Sequence, residues 1–172
     1  KATRDEAALI EAKTGQPFTQ EWLHQFWAAR DVALRAELQP IAGAAHIVQQ
    51  AHAATNGRIA CVSGADRAKI ALQLGKTGLL PWFEGRIYSG HETPRNKPHP
   101  DVYLAAMQGL QVPPAQCLVL EDTLTGIRAA AAAGATTIAY RTPNNPLLTP
   151  EQLLQAGAVA VIGDVRELAQ HW

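Results

Sequence analysis

From Ile41 onward two apolar periods alternate along the chain. Short continuous apolar runs read as strands: 58–63 (Arg-Ile-Ala-Cys-Val-Ser), a weaker 86–89 (Arg-Ile-Tyr-Ser), 117–121 (Cys-Leu-Val-Leu-Glu), 136–140 (Thr-Thr-Ile-Ala-Tyr) and 158–162 (Ala-Val-Ala-Val-Ile). Between them, apolar residues recur every three or four positions and predict helices over 44–55, 65–74, 101–110, 123–133, 151–155 and 165–170. Strands alternating with helices predict βαβ units and a parallel sheet. The unbroken apolar character of the runs fits strands covered on both faces. The fold class is therefore α/β. The Ala-rich stretch ending at Gly134 reads as a helix lying close to the sheet, with glycine as its stop signal.

The first forty residues show only the helical period. A short helix is predicted over 6–13, broken by Gly15-Gln16-Pro17. Thr19 is placed to cap a second helix carrying Trp22, Phe26, Ala29, Ala33 and Ala36 on one face, running to about Leu38 and stopped by Pro40. This predicts an αα-hairpin over 1–40 and an α/β unit over 41–172. Trp22, Phe26 and Trp27 read as packing of the hairpin, and Trp82-Phe83 as a cover on one end of the core.

Composition narrows the function. The 172 residues carry 15 Lys plus Arg against 15 Asp plus Glu. Zero net charge excludes nucleic-acid binding driven by bulk charge and gives no pull toward an anionic membrane. No apolar run has the length of a membrane span. Cys61 and Cys117, both inside apolar runs, read as buried thiols of a reducing cytoplasm. The chain starts at Lys1 and its only Met is Met107, which leads us to expect that a segment ahead of Lys1 has been removed or left out.

Ligands of parallel α/β sheets bind beyond the carboxyl ends of the strands. Ser63-Gly64, Lys97 in the loop after the second strand, and Glu121-Asp122 all fall there. Ser63 fits either a helix cap or a phosphate contact, made through its hydroxyl and the N–H groups that follow. Lys97, flanked by Pro98 and Pro100, fits a charge held on a stiffened loop. Two carboxylates directly after a buried strand are costly to desolvate. A hard cation such as Mg²⁺, which takes one or two carboxylates plus phosphate oxygens, would account for them. The six histidines show no metal-ligand spacing.

Ser63 after a strand, Lys97-Pro98-His99-Pro100-Asp101 before a helix, and the segment from Leu118 through Glu121-Asp122 to Gly134 resemble the second, third and fourth motifs of the haloacid-dehalogenase-like (HAD) hydrolases. The similarity is to the subgroup of β-phosphoglucomutase and small sugar-phosphate phosphatases, including 6-phosphogluconate phosphatases. It spans 41–172 and, more weakly, 1–40 as the later part of a helical cap. It implies a Rossmann-like three-layer α/β/α core of sheet order 3-2-1-4-5-6. It further implies that Ser63 and Gly64 hold the transferring phosphoryl group, that Lys97 neutralises its charge, that Asp122 binds Mg²⁺ with Glu121 in the metal shell or orienting it, and that Arg30 reaches the substrate from the cap. The substrate would be a small phosphorylated metabolite, a sugar phosphate by preference. A monomer is slightly favoured, and a cytoplasmic location follows from the thiols and the absence of a span.

One motif of that family is not in the sequence. Its first strand ends in Asp-x-Asp, the nucleophile and the general acid/base, and no Asp-x-Asp occurs here. That strand would lie between the Ser63 and Glu121 strands. Without it those two should stand apart by about 9–10 Å, twice the usual strand spacing, too far for direct pairing or for a Cys61–Cys117 disulfide. The expectation is that such a strand precedes Lys1 or exists as a separate piece. Three rivals to a phosphohydrolase stay open: a phosphomutase, a metal-free dehalogenase, and a non-catalytic phosphosugar-binding module.

Overall fold

Hydroxyls and carboxylates mark where several helices begin. In the computed structural model, which describes residues 11–142 and 148–172, Thr19 accepts the Trp22 N–H and starts α1 (Gln20–Glu37). α2 (Ala44–Ala54) follows Gly43. Asp66 accepts the Lys69 N–H at the start of α3 (Arg67–Lys76). α4 is Asp101–Leu110. Thr123 accepts the Gly126 N–H to cap α5 (Leu124–Ala132). A reciprocal Thr149–Gln152 capping box opens α6 (Pro150–Gln155). Such caps each contribute about 1 kcal/mol. The helix expected over 6–13 and the loop around 142–148 lie largely outside the described residues. The last expected helix is a 3₁₀ segment, Val165–His171.

Among the described residues five parallel strands form two sheets. β1 (Cys61–Ser63) pairs with β2 (Ile87–Ser89), Ser63 opposite Ser89. β3 (Leu118–Glu121) pairs with β4 (Thr136–Tyr140), and β4 with β5 (Ala160–Ile162). No strand pairing joins β1 to β3. The order within each sheet agrees with the order the resemblance implies. Helices cover both faces of the β3–β5 sheet. Ile138, Tyr140 and Ile162 pack with Ile47 of α2 and with Val165 and Leu168. On the opposite face Ala139 meets Ile127 of α5 and Leu153 of α6. Val119 packs into the cluster of Val102, Tyr103 and Met107 of α4 with Ala129 and Ala130 of α5, and Val62 of β1 joins the same cluster. The small side chains let α5 lie close, and Ala129 and Ala130 are fully buried.

The space between the sheets is open. The Cys61 N–H bonds to Arg86 of the β2 side, and the Cys117 carbonyl accepts from Thr136 of β4. Backbone direction alternates along a strand, so the polar groups of Val62, Leu118 and Leu120 face the opening. Two cavities of about 630 and 430 Å³ lie there, and both are lined by Ile47, Val48, Val62 and Leu120. Cys61 and Cys117 are both free thiols.

Candidate phosphate and metal site

The three strand ends that face the larger cavity bring Ser63, Gly64, Asn96, Lys97, Glu121, Asp122 and Thr123 together at its rim. Each arrives by a different local device. After β1 the Ser63 Oγ accepts the Ala65 N–H at 3.1 Å, a turn that leaves the hydroxyl proton free to donate. The helix cap belongs to Asp66, three residues on, so Ser63 is not consumed as a cap. After β2 the Lys97 loop is tied back by Asn96. Its Nδ2 donates to the Gly64 carbonyl at 2.9 Å, and its Oδ1 accepts the Lys97 N–H at 2.8 Å.

Lys97 and Glu121 form a buried ion pair through Nζ and Oε1, their side chains 10% and 8% exposed. Lys97 Nζ also donates to the Tyr103 hydroxyl at 3.0 Å and to the Val62 carbonyl at 3.4 Å, and it lies 4.8 Å from the centre of the Tyr103 ring. The Tyr103 hydroxyl in turn donates to Glu121 Oε1 at 2.6 Å. Glu121 Oε2 accepts the N–H groups of Asp122 and Thr123 and the Thr123 hydroxyl. Burial pushes the Glu121 carboxyl up. The Lys97 charge and these hydrogen bonds outweigh it and hold the group below the ordinary value. Tyr103 is driven upward by burial and the adjacent Glu121 charge, so it stays a neutral hydroxyl.

Glu121 thus spends both oxygens on protein partners and anchors the ammonium of Lys97. A side chain at Gly126 would have no room beside it, since an added Cβ would sit 2.1 Å from the carboxylate. Asp122 differs. It lies at the cavity rim, where partial desolvation of its carboxyl and the adjacent Glu121 charge raise its pKa. A carboxylate disfavoured in that way gains from a nearby cation. Among the described residues no group of three or more His, Cys, Asp or Glu could hold a metal by itself. The donor set fits a hard ion taking one carboxylate here and the rest from phosphate and water.

Arg30 comes from α1 and meets the core. Its guanidinium binds Asp31 at 2.7 Å and Asp66 at 3.2 Å, and its side chain is 18% exposed. On the same helix, Trp22 and Phe26 stack with centroids 5.3 Å apart. The sequence pattern assigned no role at the site to Tyr103 or Asn96.

A family model for haloacid dehalogenase-like hydrolases matches residues 2–134. The chain belongs to that family. Among curated relatives of this HAD chain, protein CbbY of Rhodobacter capsulatus is 36% identical over 118 residues, covering 65% of this chain and 51% of that protein. Fructose-1-phosphate phosphatase YqaB of Escherichia coli is 38% identical over 72 residues, covering 42% of this chain and 38% of that protein. The chain thus spans about half or less of the length of the curated relatives it matches. Among solved structures, CbbY from Rhodobacter sphaeroides in complex with xylulose-(1,5)bisphosphate superposes with a TM-score of 0.74 at 27% identity, over 89% of this chain and 68% of that one. Among the described residues no helix is long and apolar enough to cross a membrane.

Proposed function

We propose that this HAD chain serves a Mg²⁺-dependent phosphohydrolase of a small phosphorylated metabolite, a sugar phosphate. The observation that carries the reading is the convergence of the Ser63 hydroxyl, the Lys97 ammonium and the Asp122 carboxylate on one cavity at the strand ends. Relatives described as acting on fructose 1-phosphate, or bound to a sugar bisphosphate, support the substrate class.

The Ser63 hydroxyl donates to a phosphoryl oxygen, and Gly64 beside it lines the same cavity. Lys97, aimed by Glu121 and Tyr103, neutralises charge on the transferring group. Asp122 is the carboxylate that would hold Mg²⁺, which when bound supplies further charge neutralisation at the phosphoryl oxygens. Glu121 acts through Lys97. The resemblance implies an attacking aspartate whose carboxylate oxygen would bond to phosphorus as the ester oxygen leaves, with water then cleaving the acyl phosphate; no Asp-x-Asp in this sequence supplies it. α1 serves as part of a helical cap, tied to the core by Arg30 and Asp66. Free thiols at Cys61 and Cys117 suit a cytoplasmic setting.

The test is a panel of sugar phosphates and other phosphate monoesters offered to the intact protein with Mg²⁺, assayed for free phosphate and for isomeric sugar phosphates. The reading expects free phosphate, lost on adding EDTA. An isomeric product with no free phosphate, or turnover that survives EDTA, would overturn it.

A further inference from the structure

Asn96 sits where the loop after β1 meets the loop after β2. Its side-chain amide bridges the two. Nδ2 donates to the Gly64 carbonyl at 2.9 Å and Oδ1 accepts the Lys97 N–H at 2.8 Å. Only this orientation of the amide satisfies both partners, because a carbonyl needs a donor and an N–H needs an acceptor. The Asn96 carbonyl also accepts the His99 N–H at 3.1 Å, which fixes the loop on its other side. The neighbouring backbone leaves room for the amide and little else. An added Cβ at Gly90 would lie 1.9 Å from Asn96 Oδ1, and one at Gly64 would lie 3.3 Å from it. Gly90 is itself buried. The amide is therefore packed against one glycine and bonded to the carbonyl of another.

We propose that Asn96 is a positioning residue of the reaction, the clasp that sets the Ser63-Gly64 turn against Lys97. The inference rests on the phosphohydrolase reading. The two groups assigned to the phosphoryl oxygens come from separate loops, and no strand pairing lies beyond Ser63–Ser89 to hold those loops in register. Asn96 supplies that register with one donor and one acceptor. Gly90 matters for the same reason, as the position whose missing side chain gives the amide its seat. Misplacing a reacting contact by an ångström costs on the order of 100-fold in rate. Loss of the clasp is therefore felt in turnover more than in substrate binding, because other parts of the substrate remain held.

The experiment compares the intact wild-type protein with Asn96→Ala, Asn96→Asp and Gly90→Ala, reading kcat and KM for phosphate release and amide hydrogen exchange at Gly64, Ala65 and Lys97. Asn96→Ala should lower kcat about 10- to 100-fold with KM changed less than about threefold, and should speed exchange at Lys97. Asn96→Asp keeps the acceptor for the Lys97 N–H but sets a carboxylate against the Gly64 carbonyl. It should keep Lys97 protected and still lose kcat. Gly90→Ala should reproduce the Asn96→Ala defect by displacing the amide, and if it fails to fold the two Asn96 variants decide the matter. Wild-type kcat in Asn96→Ala, or unchanged Lys97 exchange in that variant, overturns the clasp. An inactive wild-type protein would overturn the phosphohydrolase reading instead, and the exchange measurement would still decide whether the clasp exists.

Discussion

Lys97 and Glu121, 24 residues apart in sequence, meet as a buried ion pair at the floor of the candidate site. The pair accounts for one of the two adjacent acids at the end of β3. Glu121 turns inward to hold the ammonium, and Asp122 stays at the cavity rim. Breaking a buried pair from one side leaves an uncompensated charge, which costs about 3–5 kcal/mol. Glu121→Gln should therefore lower the free energy of unfolding by about that amount, read as a reduced urea midpoint. A midpoint within error of wild type would show that the pair is not closed to solvent.

Tyr103 is the third member of the cluster. Tyr103→Phe keeps the ring beside the ammonium and removes the hydroxyl that bridges Lys97 and Glu121. Loss of a buried hydrogen bond to a charged group costs about 1.5–3 kcal/mol. A double-mutant cycle with Glu121→Gln checks the assignment, since residues in one network are expected to be non-additive. Simple additivity would mean that the hydroxyl does not act on Glu121.

Asp66 couples α1 to the core through Arg30 while capping α3. Burial pushes its carboxyl up, but the Lys69 N–H and the Arg30 guanidinium prevail and hold it below the ordinary value of 3.8. A carboxyl depressed in the folded state contributes stability that is fully present above its unfolded pKa. That contribution is lost as pH falls through the lower folded value. Docking of α1 should therefore persist at neutral pH and weaken below 3.8, measured by hydrogen exchange along Gln20–Glu37. Asp66→Asn should loosen α1 at neutral pH, leave it no looser than wild type at low pH, and so flatten that acid response. An unchanged acid response in the variant would contradict the coupling.

The sequence pattern marked elements well where local chemistry ends them. The helix over 101–110 and the strand over 136–140 match α4 and β4 at both bounds, because Pro100 and Gly134-Ala135 punctuate them. The run over 58–63 was longer than β1, which begins at Cys61. An apolar run records burial, whereas a strand also needs a neighbour, and pairing with β2 begins only at Cys61. The places of Ser63, Lys97, Glu121 and Asp122 at strand ends were legible in the sequence. The contacts of Glu121 and Arg30 were not, because each is made with a distant partner. Tyr103 lies 18 residues from Glu121, and Asp66 lies 36 from Arg30. No local spacing encodes such contacts.

The central claim is that Lys97 and Asp122 act on one phosphoryl group. The most direct measurement is Mg²⁺-dependent phosphate release from a saturating sugar phosphate by the intact protein, wild type against Lys97→Met and Asp122→Asn. The account predicts that each substitution lowers kcat by about 100-fold or more, and that Asp122→Asn alone also raises the Mg²⁺ concentration needed for half-maximal rate. A wild-type rate in either variant, or an unchanged Mg²⁺ requirement in Asp122→Asn, would contradict it.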